Sequence, residues 1–145
     1  MHLVEVTVIQ THVGHLVFNV KAGGLAFYRN LFAFCGWKTL YDVEEMLGVM
    51  DDRGVSAWFA PEANANANDY DGVGLNHLAL NVDHQSDVDR MVDYLREQNI
   101  PALFETPRHN EEFSAAPDTY YQVMFESPDR ILFEVVYTGV KDVEG

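Results

Sequence analysis

One hexapeptide occurs twice in this chain, and that repeat limits the folds open to it. His15-Leu16-Val17-Phe18-Asn19-Val20 returns 62 residues later as His77-Leu78-Ala79-Leu80-Asn81-Val82, with four of six positions identical. Each copy follows a glycine, Gly14 or Gly74, and precedes a helical pattern. Self-similarity at such a period marks one supersecondary unit used twice. A chain of 145 residues can bury roughly 70% of its unfolded surface, so two units that are too small apart suffice together.

The segments between the copies match as well. In the first half Leu25, Tyr28, Phe32 and Cys35 form a helical stripe that Gly36 stops, although Lys21-Ala22-Gly23-Gly24 offers no side-chain cap. In the second half Ser86 is the expected cap, with Asp89 three residues on. Val88, Met91, Val92 and Leu95 then fall at helical spacing before Asn99 and Pro101. Strand patterns follow over residues 38–43, 46–50 and 55–60, and again over 102–105, 119–126 and 131–137. Turns are signalled by Asp51-Asp52-Arg53-Gly54 and Ser127-Pro128-Asp129. Each half therefore reads β-α-β-β-β. The fold class predicted is α+β, a single domain of two repeated βαβββ modules over about 14–60 and 74–138, joined by a polar linker at 61–73. Residues 106–118 read as a second long loop, placed as a lid would be.

Strand alternation decides which side chains share a face. Leu78, Leu80 and Val82 suit the face under a helix, which leaves His77, Ala79 and Asn81 on the other; Leu16, Phe18 and Val20 oppose His15, Val17 and Asn19 in the same way. In the last strand Ile131, Phe133, Val135 and Tyr137 face the helix, and Leu132, Glu134 and Val136 face away. A carboxylate among such neighbours is costly to desolvate unless it is paired or bound to a metal. His15, His77 and Glu134 thus compose a 2-His-1-carboxylate set, which holds one divalent ion and leaves positions open. Its donors suit iron, manganese, cobalt, nickel or zinc, and suit calcium poorly. His2, His12 and His84 lack this pattern and read as solvated.

Charge and cysteine content narrow the partners. Nine basic against 23 acidic side chains give a net charge of −14, which argues against nucleic acid and anionic membrane surfaces. No apolar run nears the ~18 residues a membrane span needs. Cys35, the single cysteine, reads as a core thiol. With no signal-peptide pattern, a soluble cytoplasmic protein is expected.

From Gly14 to about Tyr137 the chain resembles the vicinal oxygen chelate superfamily, which comprises glyoxalases, bleomycin-resistance proteins and extradiol dioxygenases. The resemblance is carried by the His15 strand, Phe27-Tyr28-x-x-Leu31, and Gly74-Leu-Asn-His77-Leu-Ala-Leu-Asn-Val. It continues in Ser127-Pro128-Asp129 running into Phe133-Glu134-Val135-Val136. Ser127 and Arg130 stand where that turn more usually has Asp and Gly. The resemblance implies an eight-stranded cupped sheet or barrel with the helices outside, His15, His77 and Glu134 as ligands, and a homodimer. Aligning residues 54–61 with 130–137 puts Trp58 at the family's fourth ligand position. Glyoxalase I-like lyases use four protein ligands, whereas extradiol dioxygenases and the thiol transferases of fosfomycin resistance use three.

The expected function is a metal-dependent reaction on a small molecule that chelates through adjacent oxygens. Tyr121 and His109 are the candidate acid-base groups, and Trp58, Tyr120, Phe125 and Arg108 the candidate substrate contacts. The alternative is sequestration of a cationic drug without catalysis, as in the bleomycin-resistance branch.

Overall fold

The computed structural model describes residues 7–143, so His2 lies outside the described residues. Among these are eight strands and two α-helices. They run β1 (His15–Val20), α1 (Leu25–Phe34), β2 (Lys38–Val43), β3 (Met46–Met50), β4 (Ser56–Pro61), β5 (Leu78–Val82), α2 (Gln85–Glu97), β6 (Leu103–His109), β7 (Asp118–Glu126) and β8 (Leu132–Val140). A 3-10 turn lies at Glu111–Phe113. The chain divides into two compact units, Met1–Ala65 and Asn66–Gly145, and each holds one β-α-β-β-β set. Strand order is β1-β4-β3-β2 in the first and β5-β8-β7-β6 in the second. β1 pairs with β4 in parallel, as β5 does with β8, and the remaining pairs are antiparallel. The α+β two-module class expected from the repeat is the one observed.

In the first unit Phe18 and Val20 of β1, Leu47 and Val49 of β3, and Ala57 and Phe59 of β4 are buried with Leu25, Tyr28, Leu31 and Phe32 of α1. Phe59 is the centre, its ring 5.2 Å from Phe18 and 4.4 Å from Tyr28, both stacked. Burying one such ring stabilises the fold by about 1.5–3 kcal/mol. In the second unit Val88, Met91 and Leu95 of α2 are buried with Val123, Phe125, Phe133 and Val135, and α2 packs against β7 and β8.

Both helices end in a Schellman motif, as Gly36 and Asn99 foretell. Trp37 N–H donates to the Phe32 carbonyl at 3.0 Å and Gly36 N–H to that of Ala33 at 3.1 Å. Gly36 takes φ +76°, and the Trp37 ring meets Phe32 edge-on at 4.8 Å. In α2 Ile100 N–H donates to Leu95 at 2.8 Å and Asn99 N–H to Arg96 at 3.2 Å. These bonds satisfy carbonyls that a helix end otherwise leaves open.

Two expectations need correcting. Ser86 is no cap: α2 begins at Gln85 with His84 at the N-cap and no side-chain cap bond. The buried Gln85 side chain instead accepts from Asp142 N–H at 2.9 Å, which ties the helix start to the end of β8. The loop expected over 106–118 is strand as far as His109. A wide bulge hides it, because Leu103 lies opposite Met124 whereas Arg108 lies opposite Gln122. Phe104 and Glu105 take φ near +55° and +59° there. Thr106 Oγ1 donates to Leu103 O at 2.6 Å and accepts from Met124 N–H at 2.9 Å, doing the work of missing ladder bonds.

Candidate metal centre

Cross-strand register sorts the second sheet into two faces, since residues directly opposite share a face. Glu134 lies opposite Met124 and Ala79, Val136 opposite Gln122 and Asn81, and Gln122 opposite Arg108. Tyr120, two residues before Gln122, shares that face, which is the one turned away from α2. Glu134 is 3% exposed among Leu132, Phe133, Val135 and Val136, all buried. Its carboxylate is nevertheless well supplied: Tyr120 O–H donates to Oε1 and Gln122 Nε2 to Oε2, the latter at 3.4 Å. Gln122 is steadied by Asn110, whose Nδ2 donates to Oε1 of Gln122 at 3.4 Å. Burial, together with the bond to Glu134, pushes the Tyr120 phenol well above the ordinary tyrosine range.

His77 stands one residue before β5, with Nε2 at 3.7 Å from Oε2 of Glu134. Its tautomer follows from its neighbour. Asn76 Nδ2 donates to the Tyr70 carbonyl at 2.9 Å, which fixes the amide with Oδ1 toward Nδ1 of His77 at 2.7 Å. A carbonyl oxygen can only accept, so Nδ1 carries a proton and Nε2 is the nitrogen that faces the carboxylate. Two electron-pair donors facing one another call for a positive centre, a proton on Nε2 or a metal ion. The donor set suits a divalent transition metal. His15 opens β1 in the first unit and is exposed. Among the described residues, no three His, Cys, Asp or Glu side chains gather in a group that could hold a metal ion; His77 and Glu134 are the predicted ligands brought together.

The other predicted site residues separate by face. Arg108 shares the Glu134 face, through its register with Gln122, and is exposed. Tyr121 lies opposite His109 and Tyr137 on the α2 side. Its O–H donates to Asp89 of α2, and burial followed by that bond raises its pKa to about 12. The His109 ring stacks on Tyr121 at 4.3 Å, and Nδ1 lies 2.6 Å from Thr119 Oγ1. Burial, helped by Lys141, lowers the His109 pKa. Tyr121 and His109 therefore meet each other and not Glu134. Phe125 is fully buried on the same side, stacked on Phe133 at 5.6 Å. Sequence reasoning missed Asn76 and Gln122. Asn76 adjoins His77, and Gln122 follows Tyr120 at strand spacing, so both signals were present.

In the first unit Val17 lies opposite Trp58, as Ala79 lies opposite Glu134. Trp58 thus occupies the register position of Glu134. Its ring lies across Gly48, where an added Cβ would meet it at 2.4 Å. Trp58 Nε1–H donates to Ser56 Oγ at 3.0 Å, and Tyr41 flanks the ring at 6.4 Å.

No family model and no curated protein matches the chain. Solved structures do. A glyoxalase-type protein from Bacillus halodurans superposes with a TM-score of 0.73 at 24% identity, covering 88% of this chain and 96% of that one. A glyoxalase/dioxygenase from Nostoc punctiforme gives 0.69 at 17%, covering 93% and 99%. A mutant of the fosfomycin resistance protein FosX from Listeria monocytogenes, complexed with Mn(II) and 1S,2S-dihydroxypropylphosphonic acid, gives 0.62 at 18%, covering 88% and 90%.

Proposed function

We propose, from a fold shared with the glyoxalase, dioxygenase and fosfomycin-resistance proteins of the vicinal oxygen chelate superfamily, that this chain is a metal-dependent enzyme acting on a small molecule that chelates through adjacent oxygens. The observation that carries the reading is Nε2 of His77 facing the buried carboxylate of Glu134 at 3.7 Å. In this reading the two units act as one domain, and His15 completes the ligand set with His77 and Glu134. A bound divalent ion would supply Lewis-acid polarisation of the substrate oxygens. Tyr120 and Gln122 hold the carboxylate, Asn76 orients the imidazole, and Arg108 offers positive charge to the substrate on the same face. Trp58, standing where Glu134 stands in the other module, keeps the set at three protein ligands. The working form is taken to be a cytoplasmic homodimer.

Metal analysis and Mn(II) titration test this directly. The wild type is expected to bind close to one Mn(II), and His15→Ala, His77→Ala and Glu134→Ala to weaken binding at least tenfold. Unchanged binding in all three variants sinks the site. Where metal binds, a catechol panel under air, set against methylglyoxal with a thiol, separates oxygenase from lyase chemistry. Tight ligand binding with no turnover would favour sequestration instead.

A further inference from the structure

The turn before β8 breaks a rule that its twin before β4 obeys. In the first unit Asp51 N–H donates to Val55 O, Asp51 Oδ1 accepts from Arg53 N–H and Val55 N–H, and Gly54 takes φ +91°. In the second, Ser127 N–H donates to Ile131 O, and Ser127 Oγ accepts from Asp129 N–H and Ile131 N–H. The position matching Gly54 is Arg130, at φ +57°. A side chain in that region clashes with its own backbone, which glycine avoids.

The Arg130 side chain lies over the Tyr70 ring, 5.0 Å from its centroid. Its carbonyl accepts from Asn68 Nδ2 at 2.7 Å. Tyr70 is buried against Met124 and Leu132, two residues on the Glu134 face of the sheet, and its O–H donates to Glu126 at 2.9 Å. The Tyr70 carbonyl in turn holds the Asn76 amide, and that amide sets the proton of His77.

We propose that residues 68–76 form a positioning strap for His77: Arg130 and Glu126 clamp Tyr70, Tyr70 holds Asn76, and Asn76 fixes the tautomer and aim of the imidazole. Arg130, Tyr70 and Asn76 are positioning residues, and none is a ligand. The strap concerns His77 itself; only its consequence for metal rests on the function proposed above.

The test uses the full chain, wild type, Asn76→Leu and Arg130→Gly. Nitrogen chemical shifts of the His77 ring, read without metal at mildly alkaline pH, report the tautomer. The wild type is expected to hold its proton on Nδ1, Asn76→Leu to shift toward the Nε2 form that free histidine favours, and Arg130→Gly to shift part of the way. Mn(II) affinity should fall by roughly 10–100-fold in Asn76→Leu and by a smaller factor in Arg130→Gly. Thermal midpoint separates positioning from bulk stability, because Arg130→Gly relieves the left-handed backbone and should melt no lower than wild type. An unchanged tautomer in both variants overturns the strap. Should the wild type bind none of Fe(II), Mn(II) or Zn(II), the proposed function falls while the ring shifts still decide the strap.

Discussion

Trp58 shows how one missing side chain shapes a surface. Gly48 is buried opposite it on β3, and the space a Cβ would fill is taken by the indole ring. The ring can lie flat only because that space is open. Gly48→Ala should therefore lift the indole off the sheet at a cost of about 1–3 kcal/mol. Chemical denaturation would measure the loss, and a red shift of tryptophan emission would report the displaced ring. An unshifted spectrum at wild-type stability would refute the close approach. Glu134 presents the opposite case at the matching position, a buried carboxylate made tolerable by Tyr120 and Gln122 and faced by His77.

Among the elements, α2 offers a clean contrast between two neighbours. Ser86→Ala removes no cap and should leave stability within about 0.5 kcal/mol of wild type. Gln85→Ala removes a buried side chain and the bond it accepts from Asp142 N–H and should cost about 1–3 kcal/mol. Urea midpoints for the pair check both. The same helix shows what a sequence can and cannot disclose. The apolar stripe and the closing Asn99 were legible because helix period and C-capping are local rules. The start was not, because Gln85 is set by a partner 57 residues away. β6 was obscured for a similar reason: its bulge is satisfied by Thr106 reaching Met124 on the next strand. The His77–Glu134 pair was legible from strand parity and the repeat, while Tyr121, His109 and Phe125 were credited by residue type although register sets them on the helix side.

At the scale of the whole molecule, alkali is the condition that these contacts oppose. Tyr121 titrates at about 12 in the folded chain, against about 10 for an ordinary tyrosine. A group whose folded pKa is raised contributes stability that is fully present below the unfolded value and is lost as pH rises through the folded one. Urea midpoints should therefore fall from about pH 10 toward pH 12. Tyr121→Phe should fall less steeply across that window; an identical slope would show that burial and the bond to Asp89 do not raise the Tyr121 pKa.

The strand order also bears on synthesis. In the second sheet β8 lies between β5 and β7, so the strand made last is inserted between strands made earlier. Until Leu132–Val140 leaves the ribosome, β5 has no partner along the edge that β8 will fill, and β7 exposes one side of its ladder. A nascent chain at that stage presents two open edges to its surroundings, a recognised hazard for misassociation. Glu134 arrives within this final strand, so the carboxylate reaches His77 only as the sheet closes.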